Sequence, residues 1–302
     1  MTLTMVTNDP NGTPPPFIRL AGINTAAATP AEDSLVNIRA SVQRGLPSLE
    51  HMEGFKVVKD PTATVALVGG GPSIKQTVHE LAGFPITVAC GSVHDWLVEQ
   101  GVKPTFCTIA DPDPVITASY LQRPCVDTTY LVATQCHASV FEALAGCRIV
   151  LWHCLNESYH AFVQEHGNPA GYPGIGGGCT VGLRSLSMFM MFGYRNIHFF
   201  GFDSCLGSYG EDEHHAYDYQ HAEEMTGEVY TIKMGVDEPG ERTYRVAGYH
   251  LAQASHFKDF WAEHARKFVP TFHGDGLLAD LCRDVTERAK RTDALRQQQE
   301  CA

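Results

Sequence analysis

From residue 64 to residue 200 the chain alternates short apolar runs with stretches of helical period. The runs cover 64–68, 86–89, 106–110, 130–133, 149–152 and 197–200, and each is nearly continuous in Val, Ile, Leu, Phe or Ala. Such runs predict strands covered on both faces. Helix-like stretches lie between them at 74–81, 93–100, 139–145 and 181–192. Strand and helix in strict alternation imply right-handed crossovers and a mostly parallel sheet, so the expected architecture is α/β, Rossmann-like and doubly wound. Upstream, Leu35, Ile38, Val42 and Leu46 recur at helical spacing and predict a helix over 34–52. After Asp203 the period disappears: residues 207–224 are polar, acidic and His-rich, as in a long loop or lid. Segments 229–233 and 242–246 predict a β-hairpin across 235–240. An aromatic-rich helix follows at 248–268, then a short strand at 269–272 and a charged helical tail from 280. Residues 1–33, rich in Thr, Pro, Asn and Ala, form a flexible segment on this reading. The rest divides into one domain over 34–279, with lid and hairpin at about 204–247, and a C-terminal helix at 280–302.

Composition narrows the function. The 302 residues are 44% apolar and 19% charged, enough for one sizeable core. With 34 acidic residues against 22 basic ones the net charge is −12, which argues against nucleic acid as a partner. A nucleotide remains compatible, because backbone amides and a few cations hold a phosphate locally. The ten cysteines include no Cys-x-x-Cys pair and mostly sit in apolar runs, so free thiols are expected. The start lacks the basic-then-apolar layout of a signal peptide, and no apolar run approaches the ~18 residues of a membrane span. A cytoplasmic protein without membrane contact is expected, and a homo-oligomer is compatible with the sequence.

Four segments carry candidate chemistry. The first strand runs into Gly69-Gly70-Gly71-Pro72-Ser73, where glycines permit close backbone approach to a phosphate and Pro-Ser opens a helix. The alternative is a tight capped turn. No Lys-Ser/Thr follows, so this is not a Walker loop. Asp111 ends the strand Phe106-Cys107-Thr108-Ile109-Ala110, where a carboxylate can hold Mg²⁺ or a ribose hydroxyl. A second glycine-rich helix start, Gly176-Gly177-Gly178-Cys179-Thr180, can form another anion nest with the Thr180 hydroxyl as donor. The strand Ile197-His198-Phe199-Phe200 ends in Gly201-Phe202-Asp203, making Asp203 a second metal ligand or base. Downstream, the adjacent His214 and His215 do not have zinc spacing, but His215 on a closing loop suits general acid/base work.

These segments resemble the MptE-like family, named for an archaeal 6-hydroxymethylpterin diphosphokinase. The resemblance rests on Gly69-Gly70-Gly71-Pro72-Ser73, on Gly101-Val102-Lys103-Pro104 leading to Asp111-Pro112, and on Gly177-Gly178 through Phe192-Gly193-Tyr194 to Phe200-Gly201-Phe202-Asp203. Weaker echoes are His215-Ala216 and Gly274-Asp275-Gly276-Leu277-Leu278. Relatives carry Asn after the second strand, where this chain has Ala89-Cys90-Gly91-Ser92, so Ser92 is the expected replacement contact. The resemblance implies a Rossmann-like fold and pyrophosphoryl transfer from ATP, with Mg²⁺, to a hydroxymethyl acceptor. Phosphates would lie over residues 70–73, with Asp111 and Asp203 organising the metal. The same family is similar to flagellin-modifying glycosyltransferases and bacterial sialyltransferases, so a CMP-activated sugar donor with His215 as base is the alternative. A non-catalytic nucleotide-binding protein is the third reading. In each case the small-molecule partner is ATP or another nucleotide, and the acceptor is unidentified.

Overall fold

The computed structural model describes residues 4–6, 31–51, 58–114, 119–168, 170–207, 215–216, 229–234, 242–264 and 267–283. Its strands are β1 (Thr4–Val6), β2 (Thr64–Val68), β3 (Thr87–Cys90), β4 (Phe106–Ile109), β5 (Thr129–Ala133), β6 (Arg148–Cys154), β7 (Gly174–Ile175), β8 (Asn196–Phe200), β9 (Val229–Met234), β10 (Arg242–Ala247) and β11 (Val269–His273). Its helices are α1 (Ala31–Gln43), α2 (Ile74–Thr77), α3 (His94–Glu99), α4 (Ala138–Ala143), α5 (Glu157–His166), α6 (Val181–Met191) and α7 (Gly248–His264), with α8 at 277–283.

Eight strands form a parallel sheet in the order β11-β8-β2-β3-β4-β5-β6-β7. The chain moves outward from β2 to β7, then returns to the other side of β2 for β8 and β11. The order therefore reverses between β2 and β8, and a crevice opens beyond the carboxyl ends of strands at such a point. Both faces of β8 are covered. Phe200 meets Phe84 edge-on at 5.4 Å on one side, while Phe199 stacks on Phe272 at 4.7 Å on the other. Trp152, Tyr130, Phe189 and Phe257 are among the largest fully buried side chains. A second, antiparallel sheet has the order β1-β9-β10. Its β10 runs directly into α7 and receives the Leu206 N–H at the Arg245 carbonyl, 2.8 Å away.

The expected hairpin forms as β9 and β10, with its turn outside the described residues. Four other expectations change. Residues 4–6 lie in the segment read as flexible, yet they pair with β9, because even a short extended stretch can satisfy an open strand edge. The first helix spans 31–43 instead of 34–52. Gly45 takes φ +61 just beyond its end, and Pro47 and Ser48 must be extended to bond Leu151 of β6. The helix expected over 74–81 tightens after Thr77 into a 3-10 turn over Val78–Gly83. Helix α5 and the two-residue β7 were not foreseen, although Asn156 caps α5 by accepting the Tyr159 N–H at 3.0 Å. Most of the 207–224 loop and residues 284–302 lie outside the described residues. All nine described cysteines are free. Among the described residues no helix is long and apolar enough to cross a membrane.

The turns after β2 and β8 interlock through glycine. The Gly69 N–H donates to the Phe200 carbonyl at 2.8 Å, and the Gly71 N–H to the Gly201 carbonyl at 2.9 Å. A Cβ on Gly71 would lie 2.7 Å from that carbonyl oxygen and 2.8 Å from the Asp203 Cγ. Gly201 has φ +61, and a Cβ there would overlap the Gly69 carbonyl. Gly45 shares this backbone angle with open space around it. Gly45→Ala should therefore cost about 1–2 kcal/mol for left-handed strain alone. Gly201→Ala should cost about 1–3 kcal/mol more, because overlap adds to strain. Urea unfolding of both variants checks this, and equal losses would mean that the two turns do not interlock.

Candidate functional site

The switch point is built around one carboxylate. Asp203, only 6% exposed, accepts the Ser73 N–H on Oδ2 at 2.8 Å and the Ser73 hydroxyl on Oδ1. Its own carbonyl accepts the Leu277 N–H at 2.8 Å. Gly274 packs against Ser73 and Gly276 against Asp203, each so closely that a Cβ would lie 2.6 Å from its neighbour. The Ala216 N–H donates to the Gly70 carbonyl at 2.9 Å, which brings the adjacent His215 to the same turn. Residues 70–73, 203, 215–216 and 274–277, distant in sequence, thus meet at one place. Pro72 is buried there, and Gly69, Gly70 and Gly71 remain half-buried at the crevice edge.

This arrangement differs from a phosphate cradle opening on α2. The Asp203 carboxylate already takes the Ser73 N–H, and Ser73 makes no side-chain cap of α2. Nor do Asp111 and Asp203 converge. Asp111 follows β4 and Asp203 follows β8, with β2 and β3 between them. Three spacings of about 4.8 Å separate those strands by roughly 14 Å, whereas two carboxylates sharing one Mg²⁺ need oxygens within about 4 Å of each other. Asp111 instead accepts the Asp113 N–H on Oδ1 at 2.9 Å, forming a local turn. At Asp203 each carboxylate oxygen already accepts one hydrogen bond from Ser73. The residues as placed therefore do not fit a magnesium site shared by the two aspartates. Among the described residues no group of three or more His, Cys, Asp or Glu gathers as a metal site.

The second glycine turn lies on the same rim. Thr180 caps α6, its Oγ1 accepting the Leu183 N–H at 3.3 Å. Gly177 and Gly178 have φ of +113 and +119 and fold against Leu183, Ser187 and His256. Ser92 is half-buried in the 3-10 turn Gly91–Val93. Gly91 there has φ +67, a left-handed angle that Asn tolerates better than most residues. Gly can therefore occupy this position without backbone strain.

Sequence reasoning missed the residues that join these turns. Gln253 of α7 donates from Nε2 to Thr180 Oγ1 at 3.3 Å and accepts the Ser204 hydroxyl at 2.7 Å. Ser204 is buried, with φ +51, the one positive φ outside glycine among the described residues. The polar spacing His250, Gln253, His256 on one face of α7 was the available signal. Two histidine clusters were also missed. His198 Nδ1 lies 2.8 Å from His273 Nε2, and His273 Nδ1 lies 2.6 Å from Glu80. Fully buried His153 bonds Thr134 at 2.7 Å inside a ring of Tyr159, Phe162 and Tyr172. Depressions of ≈ 400 Å³ and ≈ 270 Å³ lie elsewhere, one beside Arg44 and Phe141, the other beside Met191 and Phe260, and neither gathers these groups.

Burial sets the electrostatics. It pushes the Asp203 carboxyl up to about 6, against the pull of the two Ser73 hydrogen bonds, and Asp275 adds to the rise. Burial also raises Asp111, partly offset by the Asp113 N–H. His153 is pushed down to about 4 by burial, with Asn168 acting the other way. The Cys90 and Cys205 thiols are driven up to about 12 by burial, which makes them poor nucleophiles. For Asp203 the folded form binds the proton more tightly than the unfolded chain. Its contribution to stability is therefore present below about pH 4 and lost as pH rises through about 6. His153 works in the opposite sense, losing stability as pH falls from 6.5 towards 4. Comparison with Asp203→Asn cancels the His153 effect. The stability of the wild type relative to that variant should fall by on the order of 2–3 kcal/mol between pH 4 and 7. Urea titrations across that range measure it, and a constant difference would place the Asp203 carboxyl outside the buried site.

Comparison with known proteins agrees with this architecture. The family model for 6-hydroxymethylpterin diphosphokinase MptE-like proteins matches residues 35–208, more than half of the chain. No curated protein matches. Among solved structures, the MAf glycosyltransferase from Magnetospirillum magneticum AMB-1 is similar in fold, with a TM-score of 0.56 and 16% identity over 84% of this chain. This chain spans 38% of that protein's length. A mammalian sialyltransferase has a TM-score of 0.41 and 13% identity, covering 85% of this chain and 83% of its own. A mammalian sialyltransferase in complex with Gal-beta-1-3GalNAc-ortho-nitrophenol has a TM-score of 0.40 and 13% identity, covering 82% of this chain and 88% of its own. With its α/β sheet, its ordered glycine turns and the match over residues 35–208, the chain belongs to the MptE-like family.

Proposed function

We propose that this transferase-type protein moves a sugar from a nucleotide-activated donor, of the CMP-sugar kind, to a hydroxyl acceptor. The donor would lie across the switch-point crevice, over residues 69–73, 91–92 and 176–180. The observation that carries this reading over pyrophosphoryl transfer is the separation of Asp111 from Asp203 in the sheet. Transfer of pyrophosphate from ATP depends on divalent metal to neutralise the phosphates. A nucleoside monophosphate leaving group carries less charge and asks less of carboxylate-bound metal.

In this mechanism the acceptor oxygen bonds to the anomeric carbon as the bond from that carbon to the CMP phosphate oxygen breaks. The acceptor proton passes to an imidazole, for which His215 is the candidate, since the Ala216–Gly70 hydrogen bond brings its backbone beside the first glycine turn. Backbone amides of the Gly176–Gly178 turn and the Thr180 hydroxyl would stabilise the phosphate as charge develops.

Thermal shift with cytidine, CMP, CMP-N-acetylneuraminate and ATP, each in Mg²⁺ and in EDTA, tests the donor class. A cytidine phosphate at ~100 times its dissociation constant should stabilise the protein by roughly 2.7 kcal/mol in either condition. Stabilisation by ATP alone, and only with Mg²⁺, would favour the diphosphokinase reading. Stabilisation by nucleotides without turnover of any donor would favour a non-catalytic binding protein. In CMP-release assays, His215→Ala should lower turnover by roughly 10²–10⁴-fold while leaving donor affinity nearly intact. Unchanged turnover would remove His215 from the chemistry.

A further inference from the structure

We infer that Gln253 is a positioning residue that forces the Thr180 hydroxyl to act as a donor towards an anionic oxygen of the bound substrate. The inference deepens the proposed function, since it rests on a nucleotide lying along the second glycine turn.

A threonine hydroxyl has one proton and two acceptor lone pairs. Thr180 Oγ1 receives the Leu183 N–H and the Gln253 Nε2–H, both at 3.3 Å. Both acceptor positions are thereby taken. Its own O–H has no acceptor among the described residues, and the side chain is half-buried on the crevice rim. A hydroxyl held this way can only give a hydrogen bond. It therefore favours an anionic acceptor, such as a phosphate or carboxylate oxygen, because such a charge-assisted bond is roughly twice as strong as one to a neutral sugar hydroxyl.

Gln253 is itself held. Its Oε1 accepts the Ser204 hydroxyl at 2.7 Å, and Ser204 follows Asp203 in a left-handed backbone conformation. One turn further along α7, His256 Nδ1 accepts the Cys179 N–H at 3.1 Å. Helix α7 thus grips the Cys179-Thr180 turn at two points three residues apart and ties it to the Asp203 turn. An amide suits the bridging position because it donates at one end and accepts at the other without titrating. A carboxylate at 253 would reverse the polarity, accepting the Thr180 proton and turning the hydroxyl away from the ligand.

The test measures dissociation constants by calorimetry for the full chain with cytidine, CMP and CMP-N-acetylneuraminate. Gln253→Glu should weaken the relevant anion by about 100-fold at pH 8, through a lost charge-assisted hydrogen bond and an added like charge. Lowering the pH towards 5 should partly restore binding, because a protonated carboxyl can again donate to Thr180. A purely structural role would not produce that recovery. Weakened CMP with unchanged cytidine identifies the phosphate as the partner, whereas unchanged CMP with a weakened sugar donor identifies the sugar carboxylate. Thr180→Ser should bind within about 3-fold of wild type, and Thr180→Val should lose about 10-fold. If Gln253→Glu does not fold, Gln253→Met removes the donor without adding charge and should lose about 10-fold. Wild-type affinities in Gln253→Glu, or in a folded Gln253→Met, would overturn the inference. If wild type binds ATP but no cytidine phosphate, the donor assignment fails, and Gln253 is tested instead on ATP against adenosine. If wild type binds neither ATP nor any cytidine phosphate, the nucleotide reading fails and this inference falls with it.

Discussion

Asp203 places a carboxylate at 6% exposure between the turns that follow β2 and β8, and so buried a charge must be met by hydrogen-bond donors. Ser73 supplies two, one from its backbone and one from its hydroxyl. That requirement fixes much of the local geometry. The β2 turn must come close enough for Ser73 to reach across, so Gly71 and Gly201 have no room for a side chain. Residues 274–277 then close over the pair, with Leu277 donating to the Asp203 carbonyl. Removing the carboxylate would leave the Ser73 donors buried and unmet, a larger penalty than the hydrogen bonds themselves contribute.

The same interaction shapes what the crevice can offer a ligand. At a parallel-sheet switch point, the amino end of the helix after the first strand commonly meets a phosphate. Here a side-chain carboxylate meets that end of α2, and under the proposed function the donor meets the rim instead: the Gly70 region with His215, the Gly91–Val93 turn, and the Thr180 turn held by α7. The outer sheet is tied to this centre as well. Asp280 of α8 accepts Arg242 at 2.8 Å and also Tyr244 of β10, and α8 continues directly from the segment that covers Asp203. The antiparallel sheet, the α8 segment and the Asp203 centre are therefore mechanically linked.

Much of this was legible in the sequence, for stated reasons. Continuous apolar runs such as Val65-Ala66-Leu67-Val68 report burial on both faces, so the parallel sheet and its strands could be read directly. Glycine clusters marked both turns at the crevice. Strand order was not legible, because it depends on which crossover passes behind which strand, and no local pattern records that. The separation of Asp111 from Asp203 was hidden for the same reason: both end strands, but two strands intervene. The partner of Asp203 was equally hidden, since Ser73 lies 130 positions away. Gln253 is marked only by its polar spacing with His250 and His256 on one face of an aromatic-rich helix, and that spacing does not name the turns it joins. The α5 cap at Asn156 is readable in the sequence, but the weak apolar stripe of its helix gives no matching period.

The central claim is that the crevice transfers a sugar without a magnesium ion shared by Asp111 and Asp203. Its most direct test is CMP release from a CMP-sugar by the wild-type chain, with an acceptor present, in excess EDTA and in excess Mg²⁺. The account predicts equal rates, within about 2-fold, in the two conditions. Release that vanishes in EDTA and returns with Mg²⁺ would contradict it.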